Sequence, residues 1–165
     1  MFYKTVKLKT DKNSSARNTG TGNNKGFIIM FLYISSGVIS TGITLSSYMC
    51  ISSGGVANST TVNSGGRIYI SSGGIHRGSL QIESGAVVSA YSGSVIDFTV
   101  SDRTASDGYL INDLSRISGT PTYTITVSAK QSFGTYKLAQ GAANFTGSIS
   151  VGNGSVTYGL LSANG

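Results

Sequence analysis

Apolar positions along this chain recur as a repeat, not as a helical stripe. An apolar-x-Ile step runs into Ser-Ser-Gly three times, as Leu32-Tyr33-Ile34, Met49-Cys50-Ile51 and Ile68-Tyr69-Ile70, with the isoleucines 17 and 19 residues apart. Units of that size cannot close a core alone and become stable by stacking on their neighbours, so the period predicts a solenoid. Helical spacing is nearly absent, because Gly or a run of β-formers interrupts every stretch with apolar residues at i, i+3, i+4 and i+7. An all-β class follows.

Aligned on Ile-Ser-Ser-Gly, the copies give in-register columns: Ile34, Ile51 and Ile70 with Ala90; Ile39, Val56 and Ile75; Leu45, Val62 and Ile82; and Met49, Ile68 and Val88. All four are expected to stack as inward ladders between strands about 4.8 Å apart, with side chains one residue away pointing outward. A shorter half-unit, Val62-Asn63-Ser64-Gly65-Gly66 and Ile82-Glu83-Ser84-Gly85, supplies a second Gly-marked corner, since Gly takes positive φ where the chain must bend. Beyond Asp97 the rhythm fades. A turn-rich connection with Asp102, Asp107-Gly108 and Asn112-Asp113 leads into strands expected at 123–127, 136–138, 148–151 and 155–158, with Gly152-Asn153-Gly154 read as a tight hairpin. This segment either continues the solenoid or folds as a small antiparallel cap or sheet on the coil end, and the cap is the favoured expectation.

Composition supports these elements: 23 Gly, one Pro and few charged residues suit short strands and tight turns. The net charge of +6 is concentrated, with Lys4, Lys7, Lys9, Lys12, Arg17 and Lys25 against Asp11 near the start. No basic stripe crosses the repeats, which argues against a nucleic-acid partner. Phe27 to Ile34 resembles the apolar part of a signal peptide, but the segment before it is long and no small-x-small site follows it directly. Leu32 to Ile34 also align with later repeats, and eight apolar residues are too few to span a bilayer. The expected organisation is a basic, disordered leader over 1–31, repeats over 32–99 and a β-rich segment over 100–165.

The phrase at residues 51–74, ISSGGVANSTTVNSGGRIYISSGG, resembles the AIDA-type repeat of bacterial autotransporter adhesins and related large repetitive surface proteins. The resemblance covers roughly residues 32–97, and the first copy departs from it, since Ile34-Ser35-Ser36-Gly37 lacks the second Gly. It implies a right-handed parallel β-helix of about three coils displayed outside the cell, at the cell surface or secreted. It implies partners on host or neighbouring-cell surfaces, glycans among them. It also implies O-glycosylation of repeat serines, for which Ser52, Ser53, Ser64, Ser71 and Ser72 match.

Candidate chemistry is sparse. Cys50, the one cysteine, fills the repeat slot of Tyr33 and Tyr69, so an outward substitution is a better reading than a nucleophile. His76, the one histidine, lies in the longest repeat insertion and is expected in an outward loop. Glu83 is the only acid between residues 12 and 96, whereas a β-helix lyase or hydrolase needs clustered carboxylates or cations. The spacing of Asp97, Asp102, Asp107 and Asp113 fits no calcium loop, and turn or cap roles are expected. The reading is a non-enzymatic passenger-type solenoid without cofactor or metal, mediating adhesion or aggregation and self-associating through open solenoid edges. A purely structural spacer and the remnant of a carbohydrate-active β-helix enzyme are the alternatives.

Overall fold

A computed structural model describes residues 31–143 and 145–153; most of the expected leader and the strand expected at 155–158 lie outside the described residues. Phe31 already belongs to the first strand. One sheet is built from short strands, β1 (Phe31–Ile34), β3 (Tyr48–Ile51), β5 (Arg67–Ile70), β7 (Val87–Ala90) and β9 (Ile117–Gly119), paired in that order. The second holds β2 (Ile39–Leu45), β4 (Val56–Val62), β6 (Ile75–Ile82), β8 (Val95–Thr99), β10 (Thr122–Thr126) and β11 (Ile149–Asn153), again in chain order. Every pairing is parallel, and successive strands alternate between the sheets from β1 to β10, with β11 adding directly to β10, so the chain winds as a β-solenoid.

Each Ser-Ser-Gly corner leaves the first sheet for the second. Gly54 has φ 72°, a region open to Gly, and its N–H bonds the carbonyl of Gly73 in the next coil at 2.8 Å. The residue after it has a different constraint. A Cβ at Gly55 would lie 2.2 Å from the Ile34 carbonyl oxygen, and one at Gly74 2.5 Å from that of Ile51, so the corner must come this close to the coil below. In the first coil Val38 fills that slot and makes the same turn, its N–H bonding Ser35 O at 2.9 Å. The departure of the first copy from the repeat pattern therefore leaves its corner intact.

The long strands bend in their middles, where Gly42, Ser59 and Gly78 carry positive φ of 68°, 56° and 75°. Beyond the bend their second halves form a third wall, extended by bridges from Leu80 to Ile111 and from Ile111 to Ala139. Three of the expected inward columns are found in register and buried: Ile34, Ile51, Ile70 and Ala90 at 0%, Leu45, Val62 and Ile82 at 5% or less, and Met49, Ile68 and Val88 at 1% or less. Each fully buried aliphatic side chain contributes roughly 1.5–3 kcal/mol.

The fourth column is a correction. Ile39, Val56 and Ile75 are in register, but they lie on the opposite side of their strands from the fully buried residues: Ile39 is 67% exposed and Ile75 half-buried, and only Val56, at 8%, is covered. The inward ladder runs one residue later, through Ala57, His76 and Ile96, all fully buried, and on to half-buried Tyr123. In a strand a shift of one residue exchanges the faces. His76 is thereby corrected from an outward loop to the core, and the insertion near it is absorbed at Gly78-Ser79, where β4 and β6 slip in register.

The described part of the C-terminal segment extends both sheets in parallel instead of forming an antiparallel cap. β9 pairs with β7, β10 with β8, and β11 with β10. β11 continues through Gly152 and Asn153, where a hairpin turn was expected. The strand expected at 136–138 is an irregular stretch that lends carbonyls to the third wall, Lys137 O to Leu110 N–H and Leu138 O to Ile111 N–H.

Candidate functional site

The first sheet alternates buried and outward residues, and register sorts the outward ones into two columns. One holds Phe31, Tyr48, Arg67 and Val87; the other holds Tyr33, Cys50, Tyr69, Ser89 and Ser118. The expected placement of Cys50 between two tyrosines is found, and its half-buried thiol lies 4.0 Å from Ser71 Oγ. Phe31 stacks on Tyr48 at 5.2 Å with planes 29° apart, and on Tyr33 at 6.4 Å and 27°. The three rings therefore form a shallow platform, with Tyr33 56% exposed. Arg67 follows Tyr48 one rung on, is exposed, and pairs with no acid among the described residues.

The serines singled out by the resemblance occupy two corners. Ser53 and Ser72 are exposed at the Ser-Ser-Gly corner, each beneath the first Gly of the next coil: a Cβ at Gly73 would lie 2.6 Å from Ser53 Oγ, and one at Gly93 2.5 Å from Ser72 Oγ. Ser64 is exposed at the other corner. Ser52 and Ser71 are half-buried, and Ser52 Oγ donates to Ile34 O at 3.4 Å.

The second sheet presents a polar cluster absent from the sequence reading. Asp97 lies in register with Arg77 and Thr124 and is 6% exposed. Its Oδ1 accepts from Thr124 Oγ1 at 2.6 Å and Thr126 Oγ1 at 2.9 Å, while Oδ2 accepts from Thr99 Oγ1 at 2.6 Å. A carboxylate supplied with three hydroxyl donors is satisfied, so this cluster braces β8 against β10. The other aspartates follow the turn and cap expectation in part. Asp113 caps the 3₁₀ turn Leu114–Arg116, and hydrogen bonds from Ser115, then Arg116 at 2.9 Å, hold its carboxyl below the usual range. Asp107 is held low chiefly by the Thr104 backbone N–H. Asp102 has φ 64°, a turn geometry that Asp tolerates.

Inside the solenoid, His76 has neither ring nitrogen hydrogen-bonded, and burial lowers its pKa to about 4. Thr60 Oγ1 is likewise buried without a partner. Where β9 and β10 meet the 141–150 stretch, a cavity of about 560 Å³ opens, lined in part by Leu114, Ile117, Tyr123 and Phe145. Among the described residues no three His, Cys, Asp or Glu side chains converge as a metal site would require. Among them also, no helix is long and apolar enough to cross a membrane. No family model matches the chain, and no curated protein or solved structure matches it either.

Proposed function

We propose that this chain is a non-enzymatic, passenger-type β-solenoid, displayed at the cell surface or secreted, that mediates cell adhesion or aggregation through its outward columns. The observation that carries this reading is the platform of Phe31, Tyr33 and Tyr48 held on a parallel sheet, with Tyr33 more than half exposed. Folding gains little from an aromatic ring left in water, whereas a rigid set of rings meets a partner with its ordering entropy already spent. Polar rows along the corners add weak contacts that sum when many copies face one surface. The resemblance to AIDA-type repeats of adhesins supports the location outside the cell. Exposed Ser53, Ser64 and Ser72 are accessible for O-glycosylation, whereas half-buried Ser52 and Ser71 are less so.

The test uses the full chain coupled to beads at high density, with albumin-coated beads as the inert reference. Adhesive function predicts that the beads clump with one another or attach to bacterial or epithelial cells above the albumin level. Beads indistinguishable from the albumin reference in both assays would overturn the reading and leave a spacer.

A further inference from the structure

We propose that the outer face of the first sheet binds an acidic polysaccharide, with pyranose rings stacked on Phe31, Tyr33, Tyr48 and Tyr69 and a uronate carboxylate paired with Arg67. The proposal rests on the adhesive reading and narrows it to a ligand class. A pyranose presents C–H bonds on its face and hydroxyls around its rim. The C–H face carries partial positive charge and is drawn to the negative face of an aromatic ring, while a tyrosine hydroxyl can meet the rim. Phe31 links such rings, 5.2 Å from Tyr48 and 6.4 Å from Tyr33 at interplanar angles of 29° and 27°; Phe31 and Tyr33 are exposed, and Tyr48 and Tyr69 are half-buried. Tyr69 continues the column of Tyr33 two rungs on, with Cys50 between them. Rungs about 4.8 Å apart make this a linear track along the solenoid axis, which suits a linear chain of rings.

Charge identifies the ligand further. Arg67 lies one rung beyond Tyr48 and in the same strand as Tyr69, and the two outward columns contain this one cation and no acid. A guanidinium fork matches a carboxylate in two parallel hydrogen bonds. One cation on a track of rings is too few for a nucleic acid, whose strand carries a phosphate about every 3.4 Å. An acidic peptide lacks the apolar flat faces that the rings would cover. A chain of sugars with intermittent carboxylates meets both requirements.

The test measures retardation of the full chain in native gels containing polygalacturonate, its fully methyl-esterified form, poly-glutamate or single-stranded DNA. Polygalacturonate is expected to bind best. Arg67→Gln should weaken that binding roughly tenfold and leave binding to the methyl ester unchanged. Tyr33→Ser combined with Tyr69→Ser should weaken binding to both forms by roughly fivefold or more. Ser89 and Ser118 already occupy the same column, so these rungs accept serine, and unchanged circular dichroism confirms the fold in each variant. Absence of binding to polygalacturonate overturns the proposal, as does an equal loss of methyl-ester binding on Arg67→Gln or stronger retardation by poly-glutamate or DNA. Adhesive beads without polygalacturonate binding overturn the ligand class alone; inert beads with polygalacturonate binding overturn the adhesive function alone.

Discussion

Replacing His76 by leucine should stabilise the solenoid and remove a pH dependence that the native chain carries. The imidazole is fully buried in the ladder between Ala57 and Ile96, with both ring nitrogens unbonded. Desolvation disfavours its charged form and lowers the pKa from 6.5 to about 4. The unfolded chain then takes up a proton near pH 6.5, while the folded chain resists it until about pH 4. Stability is therefore full above pH 6.5, declines as pH falls through that window, and levels off below about pH 4. The difference between these two values corresponds to a loss of about 3 kcal/mol. At neutral pH the uncharged ring still buries an unpaired donor and acceptor, a penalty of about 1–3 kcal/mol that leucine does not carry. Urea unfolding, followed by far-UV circular dichroism from about pH 7.5 to about pH 4, measures both terms as midpoint shifts at constant slope. The advantage of His76→Leu is expected to grow from about 1 kcal/mol to about 4 kcal/mol across that range. Asp107 and Asp113, whose carboxyls titrate lower, contribute equally to both proteins and drop out of the difference. Parallel stability curves for the two proteins would refute the burial of an unpaired imidazole.

Two further contrasts test the coil geometry. Gly55→Ala places a Cβ 2.2 Å from a backbone oxygen and should cost well over about 2 kcal/mol, whereas Gly65→Ala, with open space around it but φ 79°, should cost only about 1 kcal/mol; thermal melts of the pair check this, and equal losses would contradict the close stacking of coils. Ile39→Ser should change stability by no more than about 0.5 kcal/mol, and Ile96→Ala should cost about 2–5 kcal/mol; urea midpoints in the opposite order would return Ile39 to the core.

Much of the fold was legible because the Ser-Ser-Gly corner marks register. Counting backward from it gives Met49, Ile68 and Val88, and the isoleucines immediately before it give the second ladder; no corner intervenes, so strand parity holds. Counting forward crosses the corner, where positive φ at Gly37, Gly54 and Gly73 resets the phase. Hydrophobicity then pointed the wrong way. The outer column past the corner reads Ile39, Val56 and Ile75, while the inner one reads Ser40, Ala57 and His76, so composition favours the wrong face. The mid-strand bend was hidden for a related reason: Gly42 and Gly78 mark it in two coils, but Ser59 takes the left-handed geometry in the coil between. Asp97 read as a turn residue because its three hydroxyl donors come from its own strand and from one 27–29 residues further along the chain.

The fading of the period after Asp97 was a change of spacing without a change of architecture. Ala90 pairs with Gly119, a step of 29 residues where earlier steps were 17 to 20, yet the pairing stays parallel and in the same sheet. The extra chain lies beyond β8 and beyond β10, on the side where the shorter coils make their mid-strand bend. There it folds on itself: Asp102 N–H bonds Gln131 Oε1 at 3.0 Å, and Gln131 donates to Arg103 O at 2.6 Å and to the Tyr136 hydroxyl at 2.7 Å. A solenoid tolerates such growth because a loop inserted at one corner need not alter the pairing of strands on either side, and lengthening a loop costs little entropy. The first sheet, where the aromatic platform and Arg67 lie, keeps its rungs in register across the insertion after β8, as far as β9. The two residues gained between the first and second coils fall at the corner into the first sheet, where Ser46-Ser47 gives way to the four residues 63–66. The long insertion after β8 falls elsewhere, and neither disturbs the pairing of the rungs that carry the proposed polysaccharide track.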